Sequence, residues 1–350
     1  MTIERFEAQD NTMAQNITTD VVIIGAGPVG LFGVFALGML GLKSHVVDAL
    51  PEVGGQCSAL YPTKPIYDIP GYPEVLAGDL VRALIEQARP FAPTYHLGQA
   101  VIAIETLPQG GFLVATPQTR VEARAVLIAC GPGAFRPNRP PIDGLATFEG
   151  RSVFYTVMDP TQFAGKTVVV AGGGDSAVDW ALLLVPLAAH VHIVHRRADF
   201  RAAPASMATL ERYSQKGQLT KHVPYQLAGL EGEGGMIRSV ILRDLDGGGK
   251  NIAADALICC YGLATELGVL AKLDLDLDGN AIKIDPTTGA TNRSGLFAAG
   301  DGVVYPHKQK LILTGFAEIS AAAAAIDRYL NPGAARHHVH STTRGVPGRA

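Results

Sequence analysis

Short, almost unbroken apolar runs recur along the chain, each followed by a turn and a longer segment with helical spacing. The first run, in VVIIGAGPVGLF, starts at Val21. Runs of this kind mark strands buried on both faces, as in parallel sheets. It leads into a helix through about Leu42 and then to a second strand, SHVVDA. A loop rich in Gly, Pro and Tyr follows from Pro51 to Pro73, then a helix from about Gly78 to Arg89. Short strands in AVIAIETL, GFLVATP and AVLIACG predict an antiparallel layer closing on a core strand.

GPGAFRPNRPP is a turn-rich break and a candidate linker. The pattern then restarts with KTVVVAGGGDSAVDWALLL and the strand HVHIVHRR, followed by a second antiparallel group in IRSVILRD and NIAADALICC. After another break near DPTTGATNRSG come the strand GLFAAGD and an alanine-rich helix that Asn331 and Pro332 stop. One architecture thus appears twice, and the end of the chain supplies what the first copy lacks. The expected fold is α/β: two Rossmann-like three-layer (ββα) dinucleotide-binding domains, one inserted in the other. The expected boundaries are 14–132 with 290–350 for the outer domain and 133–289 for the inserted one. The polar N-terminal stretch, at least residues 1–13 and up to about Asp20, reads as a flexible tail.

Composition narrows the class. The chain has 350 residues, 47% hydrophobic, with net charge −3, which describes a soluble globular protein and gives no general case for nucleic-acid binding. No secretory signal is visible, and the most apolar run, GLFGVFALGMLGL, is short of the about 20 residues a membrane span needs. Four cysteines, Cys57, Cys130, Cys259 and Cys260, form no C-x-x-C. The adjacent Cys259 and Cys260 read as small hydrophobes at a strand end, with a vicinal disulfide as the alternative. A reducing cytoplasm is the expected compartment. No metal-ligand spacing is found; His337 and His338 read as solvent-facing.

The first glycine fingerprint is Gly25-x-Gly27-x-x-Gly30, with Pro28 inside it. Its glycines suit a tight turn, close approach of backbone to a pyrophosphate, and close helix–strand packing. Asp48 follows 18 residues after Gly30, where a carboxylate accepts hydrogen bonds from ribose hydroxyls. A glycine turn used only for packing is the alternative. The second fingerprint is Gly172-x-Gly174-x-x-Ala177, enclosing Asp175 and Ser176. His195 stands 18 residues after Ala177, with Arg196 and Arg197 next and Arg201 one turn on. A cationic cluster replaces the anionic side chain and suits the 2′-phosphate of NADP, guanidinium groups pairing well with phosphate oxygens. A solvated basic strand end is the alternative. Two nucleotide sites in one chain imply electron transfer, with FAD accepting a hydride from NADP(H).

The order GAGPVG, GGQC, GGGDSAVDW, HRRADFR, AAGD resembles the thioredoxin-reductase-like flavoproteins. Those enzymes carry a redox C-x-x-C before the second fingerprint, where this chain has VFYTVMDPTQFAGK and no cysteine. The sequence is closer to the thioredoxin-reductase-like (type 2) ferredoxin–NADP reductases, from about Thr19 onward, through GGQCSALYPTKPIYDIPGYP, GGGDSAVDWALLL, the histidine–arginine cluster and HSTT. That resemblance implies roles. Asp48 would hold the adenosine ribose of FAD, Gly55 and Gln56 the flavin side, and Val101 the adenine. Tyr61 would lie on one face of the isoalloxazine, Phe135 beside it, and Asp301 on the ribityl–phosphate portion. The tail alone reads as disordered; the resemblance implies that His340 stacks on the other flavin face, with Ser341 and Thr342 at the ring edge. Cys57 departs from the family's usual apolar residue and carries a chance of reactivity.

The resulting mechanism docks NADPH by its 2′-phosphate on Arg196, Arg197, His195 and Arg201, with nicotinamide displacing His340 to reach flavin N5. The two domains would swivel, and the helix beginning near Thr314 would aim its N-terminus at the flavin pyrimidine. Ferredoxin, usually acidic, would dock on a local basic patch for which Lys64, Lys308 and Lys310 are candidates. A homodimer is implied by the family. The competing functions are a reductase of another acceptor, flavodoxin or a quinone, and a non-catalytic nucleotide-binding redox sensor.

Overall fold

The computed structural model describes residues 17–131, 133–157, 159–333 and 341–347. The chain divides into a split unit, residues 1–134 with 265–350, and an inserted unit, residues 135–264.

In the split unit, β1 (Ile17–Ile24) enters α1 (Pro28–Met39), which returns to β2 (Ser44–Val47). The short α2 (Gln56–Ala59) and the amphipathic α3 (Ala77–Ala88) lead to β3 (Thr94–His96). Then come β4 (Ala103–Thr106), β5 (Phe112–Ala115) and the long β6 (Arg120–Ile128). In the inserted unit, β7 (Val153–Phe154), β8 (Thr167–Ala171), α4 (Asp175–Leu184), β9 (His190–Val194), α5 (Pro204–Gln215) and β10 (Leu219–His222) follow. The inserted unit ends with β11 (Gln226–Glu233), β12 (Met236–Arg243), β13 (Gly249–Ala253) and β14 (Ala256–Cys259). Back in the split unit stand β15 (Leu296–Ala298), α6 (Ile312–Leu330) and α7 (Ser341–Arg344).

The sheet of the split unit runs β3-β2-β1-β6-β5-β4, with β15 also paired to β6. β1, β2, β3, β6 and β15 are parallel, and β5 and β4 close antiparallel on the start of β6. Both faces of β1 are buried: Val21 and Ile23 pack under α1 and α6, Val22 and Ile24 on the other side. That double burial is why the run is apolar without alternation. The sheet of the inserted unit runs β7-β14-β8-β9-β10, all parallel, and β11, β12 and β13 form a separate antiparallel meander.

Three expectations change. Ile17–Asp20 are not tail: Ile17, Thr18 and Thr19 pair with Val121, Glu122 and Ala123 and extend β1. The loop from Pro51 to Pro73 contains α2 and the two-residue strand Pro65–Ile66. Residues 265–289 pack with the split unit rather than the inserted one, because Leu270, Leu273, Leu275 and Ile282 fill the core against β1, β5 and β6. Among the described residues no helix is long and apolar enough to cross a membrane.

Candidate functional site

The first cradle is built by the turn from β1 into α1. Gly25 has φ +111°, and a Cβ there would fall 2.5 Å from the Ala129 carbonyl oxygen. A Cβ on Gly30 would sit 1.9 Å from the Gly25 carbonyl oxygen, so these two glycines are demanded by the protein's own packing. Gly27 is different: its nearest neighbour would be the Gly55 Cα at 3.9 Å, and the protein alone would tolerate a side chain. The backbone stays bare where a ligand would approach. No side chain caps α1, whose N-cap is Gly27 and whose first residue is Pro28, and its positive end is open to an anion.

Asp48 follows β2 and faces that turn. Its carboxylate accepts from the Ala26 amide at 2.6 Å and from the Leu50 amide at 2.8 Å. Burial pushes its pKa above the usual carboxylate value, and the hydrogen bonds from those two amides oppose that rise. A carboxylate offers about four lone-pair directions, so two amides leave capacity for ribose hydroxyls. The Asp48 carbonyl accepts from Gln99, two residues before the half-buried Val101.

Gly55 leads into α2, which Gln56 begins. Cys57 is buried there, and its thiol shares a hydrogen bond with the Tyr61 hydroxyl. Burial, first, and the nearby Asp301 carboxylate push the Cys57 thiol up to about 11 and hold the Tyr61 phenol protonated. Residues 240 positions apart are therefore brought into one electrostatic neighbourhood. Burial raises Asp301 too; Lys308 and Lys310 oppose that, and Glu318 adds to it. The N-terminus of α6, uncapped by any side chain, begins beside that of α1: a Cβ on Gly315 would lie 2.5 Å from Val29 Cγ2.

Sequence reasoning missed Glu318. It lies inside α6, accepts from the Gly300 amide at 2.7 Å and from the Tyr305 hydroxyl at 2.7 Å, and pairs with Lys308. It fixes the turn carrying Asp301. The signal was legible: a carboxylate among the apolar positions of an alanine-rich helix needs donors. Lys308 is correspondingly not a surface cation, its side chain being 4% exposed, whereas Lys64 and Lys310 are exposed.

The second cradle repeats the first. A Cβ on Gly172 would meet the Cys260 carbonyl oxygen at 2.5 Å, while Gly174 is open, its nearest neighbour being the Arg201 carbonyl at 3.9 Å. Gly174 is the N-cap of α4, again without a side-chain cap, and Ala177 is fully buried behind it. Gly173 differs again: the His195 ring lies over it, 2.0 Å from where a Cβ would stand, so a side chain there would displace the ring. The Arg201 amide donates to the Gly173 carbonyl at 2.7 Å, and Asp175 accepts from the Ala203 amide at 2.9 Å. Asp175 thus holds the arginine-bearing loop, while Ser176 is exposed.

Arg196, Arg197 and Arg201 are exposed around half-buried His195. Burial, then Arg197, Arg196 and Arg201, lower its pKa and keep it neutral. His195 Nε2 is buried with no partner. The four free thiols are buried or half-buried, with burial pushing Cys130, Cys259 and Cys260 up to about 12. The chance of reactivity at Cys57 is not supported by such a thiol.

Thr342 is exposed in α7. For Phe135 and Ser341 the backbone alone is described, and His340, with His337 and His338, lies outside the described residues. No cluster of metal ligands occurs among the described residues.

A family model described as pyridine nucleotide-disulphide oxidoreductase matches residues 19–326. A ferredoxin–NADP reductase of Paramagnetospirillum magneticum is 54% identical over 336 residues, covering 96% of this chain and 99% of that protein. One from Rhodospirillum rubrum is 51% identical, covering 95% and 97%. Among solved structures, the thioredoxin reductase of Lactococcus lactis in its FR conformation superposes with a TM-score of 0.76 at 24% identity, covering 89% of this chain and 99% of its own. That of T. acidophilum also gives 0.76, at 23% identity, covering 89% and 98%. The expected α/β fold with two Rossmann-like domains is the fold of these neighbours.

Proposed function

The chain belongs to the pyridine nucleotide-disulphide oxidoreductases and, within them, to the thioredoxin-reductase-like ferredoxin–NADP reductases, and we propose that it carries electrons between NADP(H) and ferredoxin by way of FAD. It is an FAD-dependent oxidoreductase. Bound FAD supplies the conversion between two-electron hydride chemistry and one-electron chemistry.

The split unit takes FAD and the inserted unit takes NADP(H). One observation carries that assignment. Asp48 and His195 occupy the same place in two equivalent sheets, one residue beyond strands that pair Ile24 with Val47 and Ala171 with Val194. At that place the first unit presents a carboxylate and the second an imidazole among three arginines. A carboxylate suits free ribose hydroxyls and repels a 2′-phosphate; the arginine cluster does the reverse.

The residues present fit both groups. Gly27, Gly30 and Pro28 open α1 toward the FAD pyrophosphate, and Gly25 makes the turn. Asp48 takes the ribose, Val101 the adenine through its backbone, and Gly55 and Gln56 the flavin. Tyr61 offers one ring face as a neutral phenol, and Asp301 takes the ribityl–phosphate portion. Phe135, His340, Ser341 and Thr342 complete the flavin surroundings. Gly172, Gly174, Asp175, Ser176 and Ala177 form the NADP(H) pyrophosphate turn, with His195, Arg196, Arg197 and Arg201 on the 2′-phosphate. No side chain acts as acid or base in hydride transfer; these groups orient and supply electrostatics. Lys64 and Lys310 steer ferredoxin, Lys308 being committed to Glu318. The protein works as a homodimer in the cytoplasm, where its four free thiols persist.

The test is anaerobic titration of the purified protein with NADPH, followed by a ferredoxin. A yellow protein bleached by NADPH in preference to NADH, and reoxidised by ferredoxin, is expected. Colourless protein, or bleaching with no response to ferredoxin, refutes the reading.

A further inference from the structure

The two cradles share more than glycines. In the split unit His45 on β2 stands opposite Thr94, and Val47 opposite His96. In the inserted unit His192 on β9 stands opposite Thr220, and Val194 opposite His222. In each unit the two histidines meet: His45 Nδ1 lies 2.9 Å from His96 Nε2, and His192 Nδ1 lies 3.0 Å from His222 Nε2. His96 and His222 are buried.

Backbone bonds immediately beyond each pair also match. The Asp48 amide donates to the His96 carbonyl, and the His195 amide to the His222 carbonyl, both at 3.1 Å. In return the Gln99 amide donates to the Asp48 carbonyl and the Tyr225 amide to the His195 carbonyl, both at 2.9 Å. Asp48 and His195 are thus each held by the strand that carries the second histidine.

The position of the pairs makes them consequential. Each pair includes the last residue of one strand, His96 or His222, and a histidine two residues before the end of its parallel neighbour, toward the C-terminal edge where ligands of such sheets bind. A one-residue change in pairing would turn every side chain of the strand to the opposite face. An imidazole–imidazole hydrogen bond requires one ring to donate and the other to accept, at fixed atoms. It ties the strands three residues before the nucleotide-facing residue, His45 before Asp48 and His192 before His195. At least one ring of each pair must be neutral to accept, and burial lowers the pKa of all four histidines; in the inserted unit His190 and Lys250 add to that.

We propose that His45 with His96, and His192 with His222, are two copies of one positioning device: each imidazole pair sets the strand end that presents the ribose-recognising residue, Asp48 for FAD and His195 for the 2′-phosphate of NADP(H). This rests on the nucleotide assignment above.

The device predicts effects confined to one nucleotide. His192→Leu removes the hydrogen-bonding atom at similar size, while His192→Asn returns an amide group where Nδ1 stands. In the full holoenzyme His192→Leu should weaken NADP⁺ binding in calorimetry about fivefold, the worth of one net hydrogen bond. The NADPH KM should rise with kcat unchanged, FAD retention should stay normal, and His192→Asn should recover most of the affinity. His45→Leu should speed FAD release, followed by flavin fluorescence, without altering NADP⁺ affinity, and His45→Asn should slow it again. Leucine variants that leave both nucleotides untouched, or disturb both alike, overturn the proposal, as does failure of both asparagine variants to restore binding. Wild-type protein that binds neither FAD nor NADP⁺ overturns the nucleotide assignment itself and the proposal with it.

Discussion

Lys308 and Glu318 form an ion pair inside the split unit, their side chains 4% and 3% exposed. Glu318 also holds the Gly300 amide, so the charge of a helix interior is wired to the turn that presents Asp301. Such pairs contribute little net stability but are costly to halve, by about 3–5 kcal/mol, because the remaining charge is buried alone. Lys308→Met should therefore lower the urea midpoint strongly and loosen FAD. The double variant Lys308→Met, Glu318→Leu should regain much of the stability but not the FAD affinity, since Gly300 has lost its acceptor. Equilibrium unfolding with parallel measurement of flavin content checks both.

The glycines of the first fingerprint separate into two kinds. At Gly30 a Cβ would collide with backbone at 1.9 Å, which cannot yield cheaply. At Gly27 the nearest atom is 3.9 Å away. Gly30→Ala is expected to destabilise the protein by about 1–3 kcal/mol or more whether or not FAD is present. Gly27→Ala is expected to leave the flavin-free protein as stable as wild type while abolishing stabilisation by added FAD. Thermal melts of flavin-free protein with and without FAD distinguish the two.

The sequence carried the double architecture because apolar runs and glycine turns are local signals. Val21–Ile24 and Val168–Ala171 announce buried parallel strands, and the change from Asp48 to His195 at equal offset announces two different nucleotides. What lay beyond it depended on contacts distant in the chain. Glu318 gains meaning only against Gly300, Tyr305 and Lys308. Lys308 looked like a docking residue because a lysine in a polar loop gives no sign of folding inward. Gly173, an unassigned position inside the second fingerprint, lies under the His195 ring. Residues 265–289 resembled the end of the inserted domain, yet their leucines fill the core of the other unit.

The arginine cluster makes a prediction about selectivity. Arg196 and Arg197 are exposed beside the His195 imidazole, one residue beyond β9. Hydrogen bonds to charged groups contribute about 1.5–3 kcal/mol each, a factor of about ten or more. Arg196→Ala combined with Arg197→Ala should raise the NADPH KM at least about tenfold and leave the NADH KM nearly unchanged. Steady-state kinetics with both nucleotides checks it, and equal losses would mean that these side chains do not read the 2′-phosphate.

The thiols give a prediction in alkali. Burial pushes Cys57 from 9.0 up to about 11 and Cys130, Cys259 and Cys260 from 9.0 up to about 12. The unfolded chain therefore releases these protons first. Their contribution to stability is fully present below about pH 9 and is lost as pH climbs toward 11–12, because the folded state then binds more protons than the unfolded one. The limiting slope is about 1.4 kcal/mol per pH unit for each thiol. Chemical unfolding at pH 8, 9 and 10 should show stability falling only above pH 9, and Cys57→Ser, Cys130→Ser, Cys259→Ser and Cys260→Ser together should flatten the fall. The same burial predicts that a thiolate-directed alkylating reagent at pH 8 leaves all four cysteines unmodified in the native protein and modifies all four in denaturant. Mass spectrometry of the two samples reads this directly, and native labelling at Cys57 would mean that its burial does not shield it.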